Sequence, residues 1–168
     1  MKTHIAFLSV GSNLGDPLHN CRQGIEALCA DSGVELLARS PFYRTRPVDF
    51  LEQDWFVNGA LQVRTRLAPP ELLALIQSIQ RHMGRKSDSV RFGPRILDLD
   101  IIFYDDLVLD TPHLVVPHPR MHKRRFVLQP ICDIDPGVVH PLLGQTMQEL
   151  LQQLPIEGQE MVPCSSGC

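Results

Sequence analysis

Two aspartates open an otherwise apolar run, and that run limits what this chain can fold into. Residues 97–104 read Leu-Asp-Leu-Asp-Ile-Ile-Phe-Tyr, the length and composition of a buried strand. Side chains alternate across a strand, so Asp98 and Asp100 leave the sheet on the same face. Two carboxylates that close are costly unless a cation sits between them. Mg²⁺ suits such a pair, since it takes one or two carboxylates plus substrate phosphates. Just upstream, Arg91 and Arg95 bracket a Gly-Pro turn, and arginines are natural partners of phosphates. The combination suggests a Mg²⁺-nucleotide enzyme that transfers a phosphoryl-type group. Taken alone, the pair also fits strand-end solubilising residues.

The chain has 168 residues, enough for one domain with a real core. Its net charge of −3 hides an uneven layout: nine of the sixteen Lys and Arg fall between Arg81 and Arg125, around the aspartates. That favours an anionic ligand at one locus over nucleic acid, which calls for a broadly basic surface. No run approaches the roughly 18 apolar residues of a membrane span. The apolar stretch Ile5–Val10 is too short for a signal-peptide core and ends in Gly-Ser-Asn. The five cysteines are odd in number and irregularly spaced. Cys21, Cys29 and Cys132 read as small buried hydrophobes, and a metal or disulfide role for Cys164 and Cys168 stays open. A reducing cytoplasm is the expected location.

Along the chain, His4–Val10 reads as a strand, and Gly15-Asp16-Pro17 starts a helix that runs to about Ser32. Val34–Tyr43 reads as one strand, residues 44–54 as an exposed loop, and Phe56–Arg66 as another strand. Pro69-Pro70-Glu71 starts a second helix with an apolar stripe from Leu72 to Met83. After a polar loop over residues 84–97 comes the strand Leu97–Tyr104. A short strand Leu107–Leu109 and an extended Val115–Pro119 follow. His122–Asp133 is expected to be helical until Pro130, and Thr146–Leu154 to form a last helix. Residues 1–154 make the domain, and 155–168 a loose tail. The order β-α-β-β-α-β with additions predicts an α+β fold, a ferredoxin-like antiparallel sheet with helices on one face.

Taken together, the motifs resemble the 6-hydroxymethyl-7,8-dihydropterin pyrophosphokinase family. The strongest match is Arg91-Phe-Gly-Pro-Arg95 followed by Leu97-Asp-Leu-Asp-Ile101. Gly11-Ser-Asn-Leu14, Ser40-Pro-Phe-Tyr-Arg-Thr45, Phe56-Val-Asn58 and Val116-Pro-His-Pro-Arg-Met121 support it. The resemblance covers residues 4–154. It implies transfer of the β,γ-pyrophosphate of ATP to the pterin hydroxymethyl group, a step of folate biosynthesis that leaves AMP. It implies ATP and the pterin as partners and two Mg²⁺ ions; a monomer with neither nucleic-acid nor membrane partners is expected.

The same resemblance assigns roles that the residues alone leave open. Asp98 and Asp100 are implied to hold the Mg²⁺ and, with Arg85 and Arg95, to serve catalysis. Arg85, Arg91, Arg95, Ile101, His118 and Arg124 are implied to hold ATP; without it, the arginines read as surface residues and His118 as structural. Phe56 and Phe126 are implied to sandwich the pterin, though both fit a core equally well. Asn58 is implied to meet the pterin edge, where an amide supplies donor and acceptor. Thr45 and Val48 add backbone hydrogen bonds, and Gly11 permits close approach of backbone to ligand.

Five positions depart from the family pattern. Gln80 stands where Glu is frequent, Ser87 for a loop arginine, and Phe92 for Trp. Pro119 replaces an aromatic, and His113 an arginine. None removes the aspartates, the main arginines or the two phenylalanines, so an active enzyme is expected. Two alternatives remain. A Mg²⁺-dependent nucleotide hydrolase would use the same carboxylates with water as acceptor. An RNA-binding module would need paired aromatics on central strands with basic flanks, which the sheet strands lack.

Overall fold

A computed structural model describes residues 2–48, 51–84 and 93–164. Among these described residues, eight strands and four α-helices follow in the order β1 (His4–Ser12), α1 (Pro17–Cys29), β2 (Val34–Arg39), β3 (Tyr43–Thr45), β4 (Phe56–Thr65) and α2 (Pro69–His82). Then come β5 (Asp98–Tyr104), β6 (Leu109–Asp110), β7 (Val115–Val116), α3 (Arg125–Ile134), α4 (Met147–Gln152) and β8 (Met161–Pro163). The main sheet runs β5-β1-β4-β3-β8, and β2 also pairs with β4. Each of its pairings is antiparallel. This is the α+β antiparallel sheet that the element order predicts.

Both long helices start where local chemistry places them. Asp16 caps α1, its carboxylate accepting the His19 N–H at 3.2 Å, with Pro17 in the first turn. Pro69 opens α2, and the Glu71 side chain accepts the Ala68 N–H at 3.1 Å. Leu18, Cys21, Ile25 and Leu28 of α1 and Leu72, Ile76 and Ile79 of α2 bury one face of the sheet. Each fully buried aliphatic of this size contributes about 1.5–3 kcal/mol. α1 ends at Cys29, one turn short of the expected Ser32, and Ala30 forms its cap.

The other face is covered too, contrary to the expectation of helices on one side. Val127, Leu128 and Ile131 of α3 and Met147 and Leu150 of α4 pack on Phe7, Ala60, Ile102 and Phe103. Pro130 does not break α3 as the sequence suggested: it is buried inside the helix. The packed apolar face offsets the lost backbone hydrogen bond.

The expected strand Val34–Tyr43 is two strands. β2 pairs with Leu61–Thr65 of β4, and β3 with Phe56–Asn58. Pro41 lacks the N–H a ladder needs, and Ser40 bridges the gap: its N–H reaches the Ala60 carbonyl at 2.9 Å and its hydroxyl accepts the Ala60 N–H at 2.8 Å. Thr45, expected in a loop, therefore ends a strand. The tail is not loose throughout either. Met161–Pro163 forms β8 against β3, because β3 leaves an open edge whose backbone groups need partners.

Candidate active site

Three strands present alternate residues to one cavity on the face that α3 covers. Phe56 and Asn58 come from β4, Ser9 from β1, and Asp98, Asp100 and Ile102 from β5. The register places Ser9 opposite Asp100 and Gly11 opposite both Asp98 and Asn58. Thr45, Arg46, Pro47 and Val48 form one wall, and Arg124, Phe126 and Val127 at the start of α3 form another. Arg95, His118 and Arg120 close the cationic side, and the cavity holds about 230 Å³. The two aspartates are half-buried and share this face, as the alternation predicted.

Arg95 is held from behind. Asn13 exchanges two backbone-directed bonds with it: the Asn13 N–H reaches the Arg95 carbonyl at 3.0 Å, and the Arg95 N–H reaches Asn13 Oδ1 at 2.8 Å. The Asn13 amide nitrogen also donates to Gln53 Oε1 at 2.9 Å and to the Asp54 carbonyl at 3.0 Å. One buried side chain thus ties the turn bearing Arg95 to the segment bearing Gln53. The Arg95 guanidinium donates to the Pro94 carbonyl at 3.0 Å and is itself only 8% exposed.

On the opposite wall, the Asn58 amide nitrogen donates to Thr45 Oγ1 at 2.7 Å. Its oxygen lies against Gly11, where an added Cβ would sit 2.3 Å away. Gly11 therefore leaves room for this amide; its part is to back Asn58 without lining the cavity. Arg124 places its guanidinium carbon 5.4 Å from the Phe126 ring centre, a cation–π distance.

His118 owes its place to an irregularity in β5. Leu8 faces Ile101 but Phe7 faces Phe103, so Ile102 is an extra residue in the strand. Its carbonyl accepts the His118 N–H at 3.0 Å. His118 Nδ1 accepts the Arg120 N–H at 3.2 Å, which leaves the ring proton on Nε2. Burial first, then Arg124, push this imidazole down to about 4, against a smaller upward pull from Asp98 and with a further push from Arg120. It is neutral at pH 7.

Of the residues singled out from sequence, the structure gathers Thr45, Val48, Phe56, Asn58, Arg95, Asp98, Asp100, His118, Arg124 and Phe126 around this cavity. Ile101 is elsewhere: its side chain is 4% exposed in the core beneath α1 and α2, on the opposite strand face. Arg85 and Arg91 lie outside the described residues, as do Ser87 and Phe92. His113 and Pro119 are exposed and do not line the cavity. Sequence reasoning missed Ser9, Arg46, Gln53 and Arg120. Ser9 was findable, since it lies two residues before Gly11 on one strand. Arg120 lay inside the Val116–Met121 motif, and nothing local marks Arg46 or Gln53.

Known proteins are similar to this chain in sequence and in fold. A family model for 7,8-dihydro-6-hydroxymethylpterin-pyrophosphokinase (HPPK) matches residues 7–136. The chain is 38% identical over 157 residues to the 2-amino-4-hydroxy-6-hydroxymethyldihydropteridine pyrophosphokinase of Methylorubrum extorquens, covering 94% of this chain and 98% of that one. It is 40% identical to the Pseudomonas aeruginosa protein of that name, covering 94% and 96%. It is also 40% identical to the Folic acid synthesis protein fol1 of Schizosaccharomyces pombe, where it covers 94% of this chain and spans only 21% of the longer relative. The crystal structure of Plasmodium falciparum HPPK-DHPS with pteroate superposes with a TM-score of 0.73 at 17% identity, over 90% of this chain and 42% of that one, which speaks for the fold.

The class is thereby set: the protein is an α+β diphosphokinase of folate biosynthesis. The chain belongs to the 7,8-dihydro-6-hydroxymethylpterin-pyrophosphokinase family.

Proposed function

We propose that this cavity holds ATP and 6-hydroxymethyl-7,8-dihydropterin together and moves the β,γ-pyrophosphate from one to the other, leaving AMP. The observation that carries this reading is the shared cavity itself, which gathers two carboxylates, four arginines, Asn58 and two phenylalanines into one lining.

Asp98 and Asp100 fit Mg²⁺. They are same-face, half-buried oxygen donors, and no cluster of three or more His, Cys, Asp or Glu occurs among the described residues. A site with so few protein ligands suits an ion that completes its shell with substrate phosphates and water. Bound there, Mg²⁺ would neutralise phosphate charge where it develops. Two ions on this pair remain part of the proposal.

The remaining steps belong to the protein's own side chains. Arg95 and Arg124 donate to phosphate oxygens, and buried guanidinium contacts of this kind gain strength as water leaves. Neutral His118 offers its Nε2–H as a further donor. Arg85 and Arg91 are assigned to the same phosphates on the resemblance alone, and any part Ile101 plays falls to its backbone. Phe56 and Phe126 stack on the flat pterin, worth about 0.5–1.5 kcal/mol beyond burial. Asn58 reads the pterin edge, with Thr45 and Gly11 fixing its amide and Val48 flanking it. The hydroxymethyl oxygen is then aligned for attack at the β-phosphorus, and alignment supplies much of the rate.

The test is direct. Incubation with ATP, Mg²⁺ and the pterin is expected to yield AMP and the pterin diphosphate in equal amounts. ADP with a pterin monophosphate would replace this reading with an ordinary kinase, and ATP loss without pterin with a hydrolase.

A further inference from the structure

The segment from Glu157 to β8 touches both walls of the cavity, although those walls are distant in sequence. On the first wall, the Arg46 N–H reaches the Glu160 carbonyl at 3.1 Å, and the Arg46 guanidinium meets the Glu160 carboxylate at 3.2 Å. The same carboxylate accepts the Gly158 N–H at 2.9 Å through its other oxygen, which fixes the turn of the segment. Pairing of Thr45 with Met161 continues the attachment into the sheet.

On the second wall the contact is a helix cap. The first N–H groups of a helix lack internal partners, and the N-cap residue of α3 is Arg124, whose side chain makes no capping bond. Arginine is a poor cap, and Arg124 lines the cavity instead. Gln159 supplies what is missing: its Oε1 accepts the Arg125 N–H at 2.9 Å. One residue later the chain grips Arg46. A cap on the Arg124–Phe126 wall and a clasp on the Thr45–Val48 wall are therefore adjacent in sequence.

We infer that Gln159 and Glu160 are positioning residues for the pterin, setting the separation between the wall bearing Phe126 and the wall bearing Thr45. This rests on the assignment of that part of the cavity to the pterin. Neither residue lines the cavity itself; Arg124, assigned to the phosphates, shares the Phe126 wall, so the larger effect falls on the pterin and a smaller one on ATP. Flat-ring stacking requires a set gap, and a wall free to drift loses affinity before it loses chemistry.

Gln159→Ala, Glu160→Ala and the conservative Gln159→Glu, in the full chain, decide the matter. Calorimetry with 6-hydroxymethyl-7,8-dihydropterin in the presence of a non-hydrolysable ATP analogue is expected to show affinity weakened roughly tenfold in each alanine variant. Affinity for the analogue is expected to fall less, by no more than about threefold, and kcat at saturating pterin to stay within about twofold. Gln159→Glu keeps an acceptor at a helix N-terminus, where negative charge is favoured, and is expected to restore pterin affinity. Unchanged pterin affinity in both alanine variants overturns the inference. So does an equal loss for both ligands, which would mark a purely structural role. A wild-type protein that binds no pterin overturns the underlying assignment instead.

Discussion

Gln80 Oε1 accepts the Leu99 N–H at 3.0 Å, and Leu99 is the residue between Asp98 and Asp100. The contact crosses from α2 to β5, an edge strand whose outward N–H groups have no sheet partner. From sequence, Gln80 stood only as a departure from a frequent glutamate. In the fold it is a 7% exposed residue that fixes the backbone carrying both carboxylates. Glutamine and glutamate both supply that acceptor oxygen. Gln80→Leu leaves a buried N–H unsatisfied and is expected to cost about 1–3 kcal/mol in urea unfolding, with turnover reduced. Gln80→Glu is expected to cost clearly less. Equal destabilisation by both would refute the acceptor role.

The carboxylates themselves are open to a sharper comparison. Asp98→Asn and Asp100→Asn keep the volume and remove the charge. Each is expected to lower kcat by about two to three orders of magnitude, the scale seen when one stabiliser of developing charge is lost. The half-buried positions predict thermal unfolding close to wild type. Near-normal turnover in either variant at ordinary Mg²⁺ would remove that residue from the metal site.

Gly11 makes a claim about one oxygen. A Cβ there would stand 2.3 Å from Asn58 Oδ1, so Gly11→Ala must turn the amide away. That movement also strains the Asn58–Thr45 bond, itself worth about 1 kcal/mol. Pterin affinity is expected to fall at least about tenfold, with ATP affinity retained, because the amide no longer matches its partner. An alanine variant with wild-type pterin affinity would separate Asn58 from pterin recognition.

Alternation made much of the site readable. Asp98 with Asp100 and Phe56 with Asn58 follow from a period of two, and the register of three antiparallel strands then brings both pairs to one cavity. The same period sets Ile101 on the opposite face, where the core holds it. What stayed hidden depends on contacts between distant segments. The extra residue at Ile102 breaks the alternation, so no pattern announces that its carbonyl will hold His118. Arg120 lies in the Val116–Met121 motif with no role of its own assigned from sequence, and the close turn at His118 brings it to the cavity. β8 is three residues long and contains a proline, too short to stand out without the open edge of β3. Pro130 misled in the other direction, since its local penalty was outweighed by burial of the helix face.

His118 gives the structure a pH signature in the metal-free protein. Its neighbours are Arg124 and Arg120, which oppose its protonation, and Asp98, which favours it; burial dominates and holds it at about 4. The unfolded chain protonates first, near the ordinary imidazole value of 6.5. A depressed pKa means the stabilising contribution is complete above about pH 6.5 and is lost as pH falls toward 4. Between pH 7.5 and 5 the loss amounts to about 2 kcal/mol for this group. Other groups titrate in the same range, so the comparison is with His118→Gln, which cannot protonate and still offers an N–H donor. In urea unfolding with chelator present, wild type is expected to lose more stability than the variant over that interval. At pH 7.5 the glutamine variant is expected to retain more turnover than His118→Leu, because a neutral donor toward phosphate survives in one and not the other. Parallel pH curves for wild type and His118→Gln would show that the imidazole is not held neutral by its surroundings.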